Sequence, residues 1–181
     1  MEKVATDIKD CFILKLNLIK DERGAFIKTY SETLYNKLII SFEAKEEYFS
    51  ISKKDVIRGF HFQVPPFDHD KIVYCPQGNV LDVIVDLRKG SDTYLKHVKV
   101  MLSDKEPLLV FIPKGCAHGF YSFEDNSVMV YKVSTEYAAE MDKGVHWNSF
   151  DIFWPTPFDE YIISERDSNL PRFSDFDNPF N

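Results

Sequence analysis

At 181 residues the chain can form one large domain with a sizeable core, and 44% hydrophobic and 15% aromatic residues describe a globular protein, not a disordered one. The formal net charge of −7 argues against a nucleic-acid binder held by phosphate contacts, while leaving room for a local basic site for one small anion. Cys11, Cys75 and Cys116 are odd in number and fit no zinc spacing, no apolar run approaches the ~20 residues of a membrane helix, and residues 1–11 are too polar for a signal peptide, so a soluble, cytoplasmic protein with reduced thiols and no membrane partner is expected.

The β-rich runs come in chain order, each bounded by Gly, Pro, Asp or Asn. Phe12 to Leu18 alternates, Asp21-Glu22-Arg23-Gly24 breaks it, and Ala25 to Tyr30 resumes. Ser31 is placed to cap a short helix running to Ile40, with Leu34, Leu38 and Ile39 on one face. Strands are predicted over 47–52 and 56–63, then 71–75 and 80–87 around a turn at Gln77-Gly78-Asn79. Further strands follow over 95–102, 108–112, 117–123 and 128–134. Residues 159–164 are read as a last strand or a helix turn, and 174–181 as a polar tail. Many short strands with one helix indicate an all-β sandwich or barrel in a single domain, 1–181, with its core over about residues 10–172.

Five short signals sit on this scaffold. The first is Arg58-Gly59-Phe60-His61-Phe62-Gln63, a guanidinium three residues from an imidazole in one strand. Strict pleating puts Arg58 and His61 on opposite faces. Gly59 either marks a bulge that changes this, or Arg58 reaches round the strand edge. The others are Lys71 opening the next strand, the turn Ile112-Pro113-Lys114-Gly115-Cys116-Ala117-His118-Gly119-Phe120, Tyr131-Lys132, and Ser164-Glu165-Arg166-Asp167 before Pro171.

In order and spacing these residues resemble the dTDP-4-dehydrorhamnose 3,5-epimerase family, over about Asp21 to Pro171. The likeness also rests on Asp21-Glu22-Arg23-Gly24-x-Phe26, Gln77-Gly78-x-Val80-Leu81-Asp82-Val83-x-Val85-Asp86-Leu87-Arg88, Gly144-Val145-x-Trp147 and Trp154-Pro155. It implies a cupin-like jelly-roll β-sandwich, a homodimer exchanging N-terminal strands, and a nucleoside-diphosphate 4-keto sugar as substrate. The ketone acidifies the protons on carbons 3 and 5, so inversion through an enolate needs a base, an oxyanion stabiliser and an opposite-face acid, with no metal or redox cofactor. His61 matches the family's base and Asp167 the carboxylate that orients it. Lys71 matches the enolate-stabilising cation and Tyr131 the acid. Arg58, His118 and Arg23 match pyrophosphate contacts, with Phe26 and Gln63 also at the substrate and Arg23 contributed across the dimer.

The chain departs from the family at Lys28, where a Glu is common, and at Glu46-Glu47-Tyr48-Phe49, where Gln-x-Asn-His is common. A Glu at 46 or 47 could accept two hydrogen bonds from guanine, which thymine cannot supply. A GDP-linked 4-keto hexose or heptose is therefore the expected substrate. Three alternatives remain: a metal-dependent cupin enzyme, a 3,4-ketoisomerase and a non-catalytic sugar-nucleotide binder. The first lacks ligands, since Gln63 stands where cupin metal motifs carry a second His. An isomerase or a binder has no need of all four of His61, Asp167, Lys71 and Tyr131.

Overall fold

The computed structural model describes residues 1–156 and 160–181. Two antiparallel sheets face each other. The first holds β1 (Glu2–Ala5), β2 (Phe12–Lys15), β10 (Leu108–Ile112), β7 (Lys71–Gln77), β12 (Ser127–Val133) and β5 (Glu46–Ser52), in that order. The second runs β13 (Asp142–Gly144), β6 (Ile57–Gln63), β11 (Cys116–Ser122), β8 (Asn79–Asp86) and β9 (His97–Ser103). A separate hairpin joins β3 (Leu18–Asp21) to β4 (Gly24–Ile27). This is the cupin-like jelly-roll sandwich that the resemblance implies.

Alternation explains the layers. Val73, Cys75, Val80, Ile84, Phe120 and Met129 point between the sheets and form the central core. The opposite face of the first sheet packs Leu14, Ile72 and Leu109 under Tyr35 of α1 (Glu32–Lys37). Outside the second sheet, Phe60, Val83 and Tyr121 meet Trp147, Trp154 and Phe180.

Several expectations need correction. The strand predicted over 12–18 is two strands, because the chain leaves β2 at Leu16 to start the projecting hairpin. The helix is shorter than predicted, and Ser31 makes no side-chain cap. The predicted polar tail is anchored instead. Phe180 is buried, Asn178 Nδ2 donates to the Leu87 carbonyl at 2.7 Å, and the Lys89 N–H donates to the Phe180 carbonyl at 3.2 Å. The element predicted over 159–164 begins outside the described residues. Ile162 forms an isolated parallel bridge with Val56, and a short helix α2 (Glu165–Ser168) follows.

Candidate active site

The first sequence signal turns on Gly59. Along the β6–β11 ladder Arg58 faces Phe120 and His61 faces His118, so three steps on β6 match two on β11. That extra residue is a bulge at Gly59, which has φ +120°. A Cβ there would lie 2.5 Å from Gly119 Cα and 2.8 Å from the His118 carbonyl oxygen, so only glycine fits. Beyond the bulge, Phe60 and Phe62 pack in the outer core while Arg58, His61 and Gln63 face the inter-sheet space. The bulge therefore puts Arg58 and His61 on one face.

Asp167 fixes the imidazole. Its Oδ1 lies 2.8 Å from His61 Nε2, and its Oδ2 accepts the Gly59 N–H at 3.1 Å. Ser164 caps α2 by accepting the Asp167 N–H at 3.1 Å, which holds the carboxylate over the bulge. Burial works to raise the Asp167 carboxyl, but the His61 bond and charge and the Gly59 N–H together hold it below the usual carboxylate range. With Nε2 engaged, Nδ1 is the nitrogen available to take a proton.

His61 opens on a cavity of about 340 Å³ between the sheets. The facing sheet supplies Lys71, Glu46 and Tyr48 to the same cavity. Lys71 is almost fully buried, and its ammonium has no hydrogen bond or ion pair among the described residues. Burial lowers its pKa to about 8, against the pull of Asp82 and Asp142. His69 also lines the cavity, and burial holds it neutral with a pKa of about 3, helped by the Lys71 charge.

Other predicted residues sit differently. Tyr131 is 7% exposed, its hydroxyl lies 3.2 Å from Ser50 Oγ, and it is Tyr48 that lines the cavity, stacked on Tyr131 at 4.8 Å. His118 lies outside the lining of this cavity. It is buried, with Nε2 2.5 Å from Asp82 Oδ1. Gln63 lines the cavity, but its amide is spent on the protein. Nε2 donates to the Phe67 carbonyl at 2.9 Å, and Oε1 accepts the Ala138 N–H at 2.6 Å.

Glu46 lines the cavity and accepts the Tyr137 N–H at 2.7 Å, whereas Glu47 points outward to Lys132 at 3.1 Å. Alternation along β5 separates the two, so Glu47 is not a site residue of this cavity. Arg58 Nε donates to Ser52 Oγ at 3.0 Å and faces inward without lining the cavity. Arg23, Phe26 and Lys28 lie on or beside the exposed hairpin, away from their own chain's cavity, and Arg23 pairs with Asp21. Sequence reasoning missed Tyr48, Asp142 and Arg166 as cavity residues. Arg166 was one step from Asp167, and its Nη2 donates to Asp142 Oδ2 at 2.7 Å. Among the described residues, no group of three or more His, Cys, Asp or Glu is disposed to hold a metal ion.

Comparison with known proteins agrees with this geometry. Residues 5–175 match the family model described as dTDP-4-dehydrorhamnose 3,5-epimerase. The dTDP-4-dehydrorhamnose 3,5-epimerase of Methanothermobacter thermautotrophicus is 37% identical over 169 residues, which cover 92% of this chain and 91% of that protein. The crystal structure of dTDP-4-dehydrorhamnose 3,5-epimerase from Elizabethkingia anophelis has a TM-score of 0.90 at 35% identity and covers 98% of both chains. A Legionella pneumophila dTDP-6-deoxy-D-glucose-3,5-epimerase, solved in complex with dTDP-4-keto-L-rhamnose, has a TM-score of 0.91 at 31% identity, covering 97% of this chain and 94% of that one. These relatives are named for dTDP sugars and lend no support to the guanine expectation.

Proposed function

The chain belongs to the dTDP-4-dehydrorhamnose 3,5-epimerase family, and we propose that it inverts carbons 3 and 5 of a dTDP-linked 4-keto sugar without a cofactor. The observation that carries this reading is the convergence on one cavity, from facing sheets, of the Asp167-held His61 and of Lys71, which has no ion pair among the described residues. His61 Nδ1 takes the proton from a carbon beside the ketone, and the electron pair passes to the carbon-4 oxygen. The Lys71 ammonium stabilises that enolate. A phenol on the wall opposite His61 then donates a proton to the other face of the carbon, and the ketone re-forms.

The choice of dTDP rests on the relatives named above and on two features of the site. Glu47 is turned away, and one Glu46 oxygen is already used by Tyr137, which weakens the two-bond contact a guanine edge requires. Turnover of dTDP- and GDP-linked 4-keto sugars, measured side by side, tests this. Preference for the dTDP sugar is expected, and preference for GDP would overturn it.

The same reading makes the protein a homodimer. Ile19 and Phe26 are exposed on the hairpin beside Arg23, a surface suited to meeting a second copy and bringing Arg23 to that copy's cavity. Light scattering is expected to give twice the chain mass, and a monomer at working concentration would contradict it.

A further inference from the structure

Inverting two carbons in turn uses the opposite-face phenol twice, so its proton must be replaced between the two inversions. Tyr131 is the phenol that the family resemblance gives this part, and its surroundings restrict that replacement. The residue is 7% exposed. Burial raises its pKa, helped by the neighbouring Tyr48 and Asp82 and opposed by the Ser50 hydroxyl and the Arg58 charge. Its ring stacks on Tyr48 at 4.8 Å and meets the His118 ring edge-on at 6.0 Å. Among the described residues its hydroxyl has one hydrogen-bond partner, Ser50 Oγ at 3.2 Å.

Ser50 reaches the phenol from an edge strand, β5. In the β5–β12 ladder Tyr48 stands opposite Tyr131 and Ser50 opposite Met129. Ser50 is therefore the diagonal neighbour of Tyr131, on the same inward face as Tyr48. Unlike Tyr131, it is only partly buried. A serine hydroxyl both donates and accepts, so Ser50 can take a proton from water while giving one to the phenol oxygen.

We propose that Ser50 is a positioning residue for the epimerisation, the hydroxyl that orients the Tyr131 phenol and returns its proton between the two inversions. This rests on the epimerase reading above and deepens it. In each inversion the Tyr131 O–H bond breaks as the enolate electron pair forms the new C–H bond and the carbon-4 ketone returns. Tyr131 is left as phenolate, and the Ser50 O–H donates a hydrogen bond to it. The Ser50 O–H bond then breaks, the Tyr131 O–H bond re-forms, and a water proton passes to Ser50. The hydroxide left takes the proton that His61 removed from the other face, giving water and a neutral imidazole. Both groups are then ready for the second carbon.

The test compares wild type, Ser50→Ala and Ser50→Thr on a dTDP-linked 4-keto sugar with the enzyme in excess, following the two inversions separately by NMR. The first inversion uses the proton already on Tyr131, and the second waits for its return. Ser50→Ala is expected to slow the first by less than about tenfold and the second by a further 10- to 100-fold or so, so that singly inverted sugar accumulates. Ser50→Thr keeps the hydroxyl and is expected to stay within about threefold of wild type on both. Thermal melting should be alike in all three. The proposal is overturned if Ser50→Ala forms doubly inverted sugar within about threefold of the wild-type rate. Equal slowing of both inversions, the mark of a merely displaced Tyr131, overturns it too, as does a Ser50→Thr protein as impaired as Ser50→Ala. Failure of the underlying reading looks different: the wild-type protein would invert neither carbon.

Discussion

Asp167 lies 2.8 Å from His61 Nε2, and its other oxygen holds the Gly59 bulge that turns His61 into the cavity. One carboxylate thus sets the orientation and tautomer of His61 and the strand geometry beside it. Asp167→Asn should lower kcat by roughly 10²–10⁴-fold, because an amide no longer favours the imidazolium that forms in the transition state. The effect on stability has a defined sign. The folded pKa lies below the ordinary 3.8, so the carboxylate contributes stability above that value and loses it as pH falls through the lower folded one. Denaturant titrations of wild type and Asp167→Asn should therefore converge as pH drops below 3.8.

Lys71 sets activity against stability. Its ammonium is buried without a partner among the described residues, so Lys71→Met should be neutral to roughly 3 kcal/mol more stable while kcat falls roughly 10²–10³-fold. With a folded pKa of about 8 against the ordinary 10.5, wild-type activity should decline as pH rises through 8. Over 8 to 10.5 the unfolded chain binds the extra proton, so wild-type stability should rise with pH. Lys71→Met should lack that rise, and paired pH–rate and denaturation curves would show both.

Gly59→Ala should cost roughly 2–4 kcal/mol. The added Cβ meets backbone of β11 on two atoms, and φ of +120° is closed to an L side chain. Calorimetry measures the loss. A stable Gly59→Ala protein with full activity would show that the bulge does not set the His61 orientation.

Phe180→Ala should destabilise by roughly 3–5 kcal/mol, the usual cost of emptying a buried aromatic position. The ring meets Phe62 at 5.6 Å, so loss is also expected to loosen β6 and lower activity at elevated temperature. Melting curves check the first part, and rates measured across temperature the second.

Much of the architecture was legible because alternation is a local signal. The strand predicted over 108–112 coincides with β10, and the turn at Gln77-Gly78-Asn79 lies where β7 gives way to β8. Exposed or very short elements left little trace. β1 has no buried face, and β13 is three residues long, marked chiefly by Gly144, where a Cβ would meet the Phe60 carbonyl at 2.6 Å. The C-terminal segment read as polar because its composition hides Phe173, Phe176 and Phe180, which reach the outer core one by one.

In the site, Gly59 was readable as a possible bulge, whereas choosing between alternation and a bulge needed the β11 register. Glu46 and Glu47 looked equivalent in sequence, yet one pleat separates cavity from solvent. Tyr48 reaches the cavity stacked on Tyr131 of the paired strand, a contact 83 residues away in the chain that no local pattern encodes.

The central claim is that His61 removes the protons beside the ketone. It is tested most directly by incubating wild type and His61→Asn with a dTDP-linked 4-keto sugar in heavy water and following carbons 3 and 5 by NMR. Wild type is predicted to incorporate deuterium at both carbons with inversion, and His61→Asn at neither. Incorporation at the wild-type rate in His61→Asn, or none in the wild type, would contradict the account.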